Sequence, residues 1–131
     1  GRLDYNTEGL LLLTNDGELA RRLEHPSTGL VRTYSVRVHG KVTEEKLLGM
    51  RRGFRVDGVQ YRGMGVRVDV RKGRTGQSNT WLSVECTEGK NRQIRKICEH
   101  LYLKVNRLVR TRFGPFSLGR VRPGGIAKVA V

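Results

Sequence analysis

The chain has 131 residues, the size of one domain, and carries 26 basic against 12 acidic residues for a net charge of +14. That length buries a real core, no apolar run reaches the length of a membrane span, and no secretory signal is present. Arginine makes up 19 of the basic residues, and its planar fork grips phosphate in pairs and stacks on bases, so the excess points to nucleic acid.

The opening stretch, GRLDYNTEGLLLLTNDGEL over residues 1–19, has three parts. Gly1 to Asp4 is a polar loop that sets a carboxylate beside a guanidinium. Leu10 to Leu13 is a short apolar run between Gly9 and Asn15-Asp16-Gly17, which predicts a buried strand. Asn15 or Asp16 then caps a helix that carries Leu19 and Leu23 and stops before Pro26.

Val31 to His39 alternates, with Tyr34, Val36 and Val38 on one face and Thr33, Ser35, Arg37 and His39 on the other. On periodicity alone Tyr34 is a core aromatic. Thr43 caps a helix from Glu44 to about Arg52, with acids first, bases last and Gly53 after it. Val56-Asp57-Gly58-Val59 signals a hairpin. Met64, Val66, Val68 and Val70 alternate as a strand, and residues 72–79 form an exposed loop. Thr80 to Thr87 is the next strand, with Leu82, Val84 and Cys86 on one face.

Asn91 caps a helix on which Ile94, Ile97, Cys98 and Leu101 follow helical spacing. Val105 to Phe113 reads as a strand from which Arg107, Arg110 and Arg112 emerge, and Ile126 to Val131 as a last strand. The layout is α+β with a mixed or antiparallel sheet. Charge is uneven along it: residues 1–40 hold five basic and five acidic residues, whereas residues 90–131 hold eleven basic residues against Glu99 alone. That half reads as polyanion-binding. Cys86 and Cys98 match no zinc spacing and read as reduced, buried thiols. His25, His39 and His100 are scattered, so no metal is expected.

The opening string resembles the catalytic motif of pseudouridine synthases, in the RsuA/RluB/RluE/RluF branch that modifies ribosomal RNA. The likeness continues through EGKNRQIRK to RLVRTRFGPFSL and is most similar to the RluB, large-subunit subgroup. It implies the pseudouridine synthase fold: a sheet flanked by helices and crossed by an RNA cleft. It implies that residues 1–131 are the catalytic domain of a longer protein, with a Lys-Pro segment and an S4-type RNA-binding domain expected ahead of GRLD.

The resemblance also assigns roles. Asp4 attacks the target uridine covalently, at the uracil ring or at the ribose. Arg95 pairs with that carboxylate. Tyr34, in Arg32-Thr33-Tyr34 where the family usually has Lys-x-Tyr, packs on the flipped base and serves in proton transfer. Leu108 closes the base pocket, although its position is also that of ordinary core. Arg2 helps displace the nucleotide. Lys90, Asn91, Arg92, Arg107, Arg110 and Arg112 contact substrate. The reaction is not a redox reaction and needs no cofactor. The expected partner is 23S ribosomal RNA or a precursor ribosomal particle, bound by a cytoplasmic monomer with no metal and no membrane. Two readings stand beside this one: a small-subunit, 16S-modifying enzyme of the same branch, and a non-catalytic rRNA-binding module.

Overall fold

A computed structural model describes residues 3–72, 79–87 and 92–129. In chain order these form β1 (Glu8–Gly9), α1 (Gly17–Glu24), a 3-10 turn (Pro26–Thr28), β2 (Arg32–His39) and α2 (Glu44–Arg52). There follow β3 (Gly53–Val56), β4 (Val59–Arg62), β5 (Gly65–Val68), β6 (Asn79–Cys86), α3 (Gln93–His100), β7 (Lys104–Phe113) and β8 (Phe116–Ser117).

The main sheet runs β1-β7-β2-β6-β5, with β8 also on β7, and the β3–β4 hairpin stands apart. The β1–β7 pair is parallel and the other pairs are antiparallel, so the sheet is mixed and the class is α+β. Alternation along the strands sorts the two faces. Val36 pairs with Leu82 and Leu108, and all three are at most 5% exposed. With Val38, Val66 and Val84 they bury against Leu47 and Met50 of α2 and Ile94, Ile97 and Cys98 of α3. The opposite face carries Ser35, Arg37, Trp81 and Arg107. There the Lys72 ammonium lies 4.2 Å from the Trp81 ring centre and 2.7 Å from Ser35 Oγ.

The local signals hold. Asp16 Oδ1 accepts from the Glu18 and Leu19 amides, each at 3.1 Å, and so starts α1. Thr43 Oγ1 accepts from the Lys46 amide and starts α2. Asp57 at φ 51° and Gly58 at φ 77° make the left-handed pair that a tight hairpin turn needs.

Four expectations are corrected. Leu10–Leu13 is neither strand nor buried: Leu11 is 50% and Leu13 83% exposed. The reason lies on β7. The edge along which β1 would continue is taken by β8, which pairs Ser117 with Arg112 and Phe116 with Phe113, while the Leu118 amide takes the Thr111 carbonyl. The alternating run after Met64 ends as strand at Val68, and Val70 is 82% exposed. Ile126 is 92% exposed and residues 126–129 are not strand, since β2 and the β1/β8 pair already flank β7; residues 130–131 lie outside the described residues. Asn91, expected to cap α3, is also outside them, and the N-cap position is filled by Arg92 at φ 54° with no side-chain cap.

Both cysteines are buried, and burial pushes the Cys98 thiol up to about 12. A thiol so shielded is a poor nucleophile. Iodoacetamide at pH 8 is therefore expected to label neither cysteine in the native chain and both in urea. Rapid native labelling of Cys98 would show that α3 does not pack as described.

Candidate active site

The loop that carries Asp4 is fixed by its own turn and by three arginines. Its turn closes where the Thr7 amide donates to the Asp4 carbonyl at 3.0 Å. Arg95, on α3, donates from a terminal guanidinium nitrogen to the Asn6 carbonyl at 2.6 Å. Arg107, on β7, grips the Glu8 carboxylate through two bonds of 3.0 and 3.1 Å. Arg110, also on β7, donates twice to the Leu10 carbonyl at 3.0 and 2.8 Å. Residues 6, 8 and 10 are thus held in alternation, and the backbone of β1 is drawn against β7.

Gly9 makes that approach possible. Its φ is 109°, and a Cβ there would lie 2.2 Å from the Arg110 carbonyl oxygen. No other residue fits such a contact in such a conformation.

The three arginines differ in strength. The Arg107–Glu8 pair is about half exposed at both ends, so it contributes little to stability. Its hydrogen bonds hold the Glu8 carboxyl below its usual value. A depressed carboxylate contributes above its unfolded pKa and loses that contribution as pH falls through the folded one, so this clamp opens only in acid. Arg110 is only 3% exposed. Burial holds its pKa below the ordinary arginine value. Among the described residues it is satisfied by two bonds to the Leu10 carbonyl and by the Phe113 ring, whose centre lies 5.0 Å away. Arg32 approaches the same ring at 4.9 Å and donates to the Thr87 carbonyl at 3.1 Å.

Arg110 is therefore engaged within the fold, and its periodicity on β7 could not show which way it turned. Replacing it with Met keeps the stem and removes charged bonds, so Arg110→Met is expected to cost about 2–3 kcal/mol in urea unfolding. Unchanged stability with weakened RNA binding would place Arg110 in the phosphate-contact group. Arg107 is engaged with Glu8 but still half exposed, and Arg112 is exposed.

Tyr34 is half-buried at the margin of the core. Burial raises its pKa, so it is a neutral phenol, and the Arg110 guanidinium beside it opposes that rise. Leu108 is 5% exposed and belongs to the core. Arg95 is electrostatically coupled to Asp4. Burial is the main cause that lowers its pKa, Arg92 adds to this, and Asp4 opposes it. Its Nε is buried and has no partner among the described residues. The structure thus brings together Asp4 with Arg95, and Tyr34 with Arg110. The first pair is linked by the Asn6 carbonyl and by field, with no direct Asp4–Arg95 hydrogen bond among the described residues. Arg2, Lys90 and Asn91 lie outside the described residues.

A loop carboxylate within the field of a partly buried arginine, with a neutral tyrosine on the adjoining sheet, suits nucleophilic attack followed by proton transfer. The sequence model of one family, RNA pseudouridylate synthase, matches residues 1–100. The chain belongs to that family.

An RNA pseudouridine synthase of Rickettsia bellii, itself described as uncharacterized, is 46% identical over 129 residues, which cover 98% of this chain and 54% of that protein. The ribosomal large subunit pseudouridine synthase B of Salmonella typhi is 42% identical over 125 residues, 95% of this chain and 42% of the relative. A crystal structure of a pseudouridylate synthase superposes with a TM-score of 0.77 at 26% identity, over 90% of this chain and 49% of that one. The chain spans about half the length of the curated relatives it matches. The shared fold shows that the pseudouridylate synthase architecture extends over the β2–β7 sheet as well as the opening motif. Among the described residues no cluster of three or more His, Cys, Asp or Glu groups could hold a metal, and no helix is long and apolar enough to cross a membrane.

Proposed function

We propose that the protein containing this chain isomerises uridine to pseudouridine in ribosomal RNA, with large-subunit RNA as its substrate, and that Asp4 is its nucleophile. The observation that carries the reading is the clamped Asp4 loop facing Arg95, within a chain of this family. Similarity to the Salmonella typhi protein, named for the ribosomal large subunit, supports the choice of RNA.

The chemistry conserves every atom. The Asp4 carboxylate attacks the ring or the ribose of a nucleotide taken out of its stack. The bond between the base nitrogen and the sugar breaks, the base turns, and a bond forms from its C5 carbon to the same sugar carbon. The C5 proton is then lost, the carboxylate is released, and a proton returns to the freed ring nitrogen. Arg95 holds the Asp4 loop in place through the Asn6 carbonyl and sets a positive charge near its carboxylate. Tyr34 packs beside the base with a phenol proton available. Leu108 supplies the apolar wall. Electron count is unchanged throughout, so no redox partner is called for.

Exposed Arg92 and Arg112 stand as phosphate contacts, with Arg107 contributing through its exposed side. The test is direct. The full-length parent protein is incubated with a large-subunit rRNA transcript, and pseudouridines are mapped. One new site supports the reading. Tight binding with no new site, in large- or small-subunit RNA, would make it an RNA-binding module.

A further inference from the structure

Beside the Asp4 loop lies a cavity of about 530 Å³, lined by His39, Arg92, Arg95, Glu99, Tyr102 and Lys104, with Leu103 and Val105 at its apolar side. Its size falls within the range of small-molecule sites. Arg95 belongs both to it and to the clamp on Asn6, so the cavity adjoins the proposed reaction centre. Three cations face one carboxylate. His39 Nδ1 lies 3.2 Å from Asn79 Oδ1, which also accepts from Asn106 Nδ2 at 3.0 Å. An amide oxygen only accepts, so Nδ1 carries a hydrogen in this contact.

Tyr102 is the telling residue. It ends α3 in a Schellman arrangement: the Leu103 amide bonds the Cys98 carbonyl at 2.8 Å, and the Tyr102 amide bonds the Glu99 carbonyl at 3.0 Å. The residue at that position is left-handed, here with φ 60°, and glycine is the usual choice. A tyrosine is strained there, yet its ring is 89% exposed and contributes almost nothing to the core. The conformation instead stands an aromatic ring beside a basic cavity.

We propose that this cavity holds a nucleotide flanking the one that Asp4 attacks, with its base stacked on Tyr102 and its phosphate held by Arg92 and Lys104. The assignment rests on Asp4 as the reaction centre. Base–aromatic stacking accepts any base, while the Glu99 carboxylate offers acceptors to amino or imino groups of the base edge.

Binding of a fluorescein-labelled ten-residue oligouridylate to the full-length parent protein tests this at low salt. Tyr102→Gly should weaken binding about tenfold, the size of one stack. The same change should raise the melting temperature, because glycine relieves the left-handed strain. Tyr102→Phe should bind within about twofold of wild type, since the ring face is kept. Lys104→Gln should flatten the log–log salt dependence by about 0.7, one single-strand phosphate. Wild-type affinity in Tyr102→Gly, or loss of affinity together with loss of stability, overturns the proposal; with Lys104→Gln still weakened, the first result leaves a bare anion site. The readout is binding, so it is independent of turnover. Failure to form pseudouridine beside a Tyr102-dependent complex would remove Asp4 as the nucleophile and keep the nucleotide site.

Discussion

Asp4→Asn in the full-length parent protein is expected to abolish pseudouridine formation and to leave RNA affinity nearly unchanged. The amide is close in shape, so the turn closed by the Thr7 amide and the Asp4 carbonyl persists. What disappears is the negative oxygen that forms the covalent bond, and a neutral amide does not replace it. Loss of a nucleophile removes most of the catalysed rate, on the order of 10⁴-fold or more. Affinity is set by cations against phosphate, to which an anionic Asp4 adds no attraction. Single-turnover assays at saturating protein separate the two effects. A rate within about tenfold of wild type would mean that another group attacks.

The second large effect belongs to Arg95. This side chain donates to the Asn6 carbonyl, feels the Asp4 carboxylate and keeps a buried Nε free of protein partners among the described residues. Lysine keeps the charge but is a single point on a flexible stem, so it cannot hold the loop carbonyl and face Asp4 together. Arg95→Lys is expected to slow the chemical step by about 10²-fold, as when one transition-state electrostatic contact is lost, with a much smaller change in affinity. A near-normal single-turnover rate with weaker binding would make Arg95 a phosphate contact and leave Asp4 without its partner.

The sequence showed what is decided within a few residues. Asp16 and Thr43 cap their helices because a short side chain meets amides two or three positions on. The alternation from Tyr34 to Val38 and from Leu82 to Cys86 identified the buried face because strands alternate with period two. Family resemblance, rather than periodicity, singled out Asp4, Tyr34 and Arg95 as candidates. Events at long range were not legible. Leu10–Leu13 has the composition of a strand, but β8 holds the edge it would need. Arg107, Arg110 and Arg112 look alike in a list of basic residues. Only the parallel pairing of β1 with β7 turns one of them onto Glu8 and another onto Leu10. Their signal was present but ambiguous: Gly9 in the motif demanded a close backbone approach, without saying to which strand. Tyr102 gave no signal, because its left-handed conformation follows from where α3 stops.

The central claim is that this Asp4-centred chain modifies one ribosomal uridine. It is tested most directly in cells whose only copy of the parent gene carries Asp4→Asn, by mapping every pseudouridine in total ribosomal RNA. The account predicts that one large-subunit site disappears, that all others persist, and that the site returns when Asp4 is restored. A complete set of pseudouridines in the Asp4→Asn cells would contradict it.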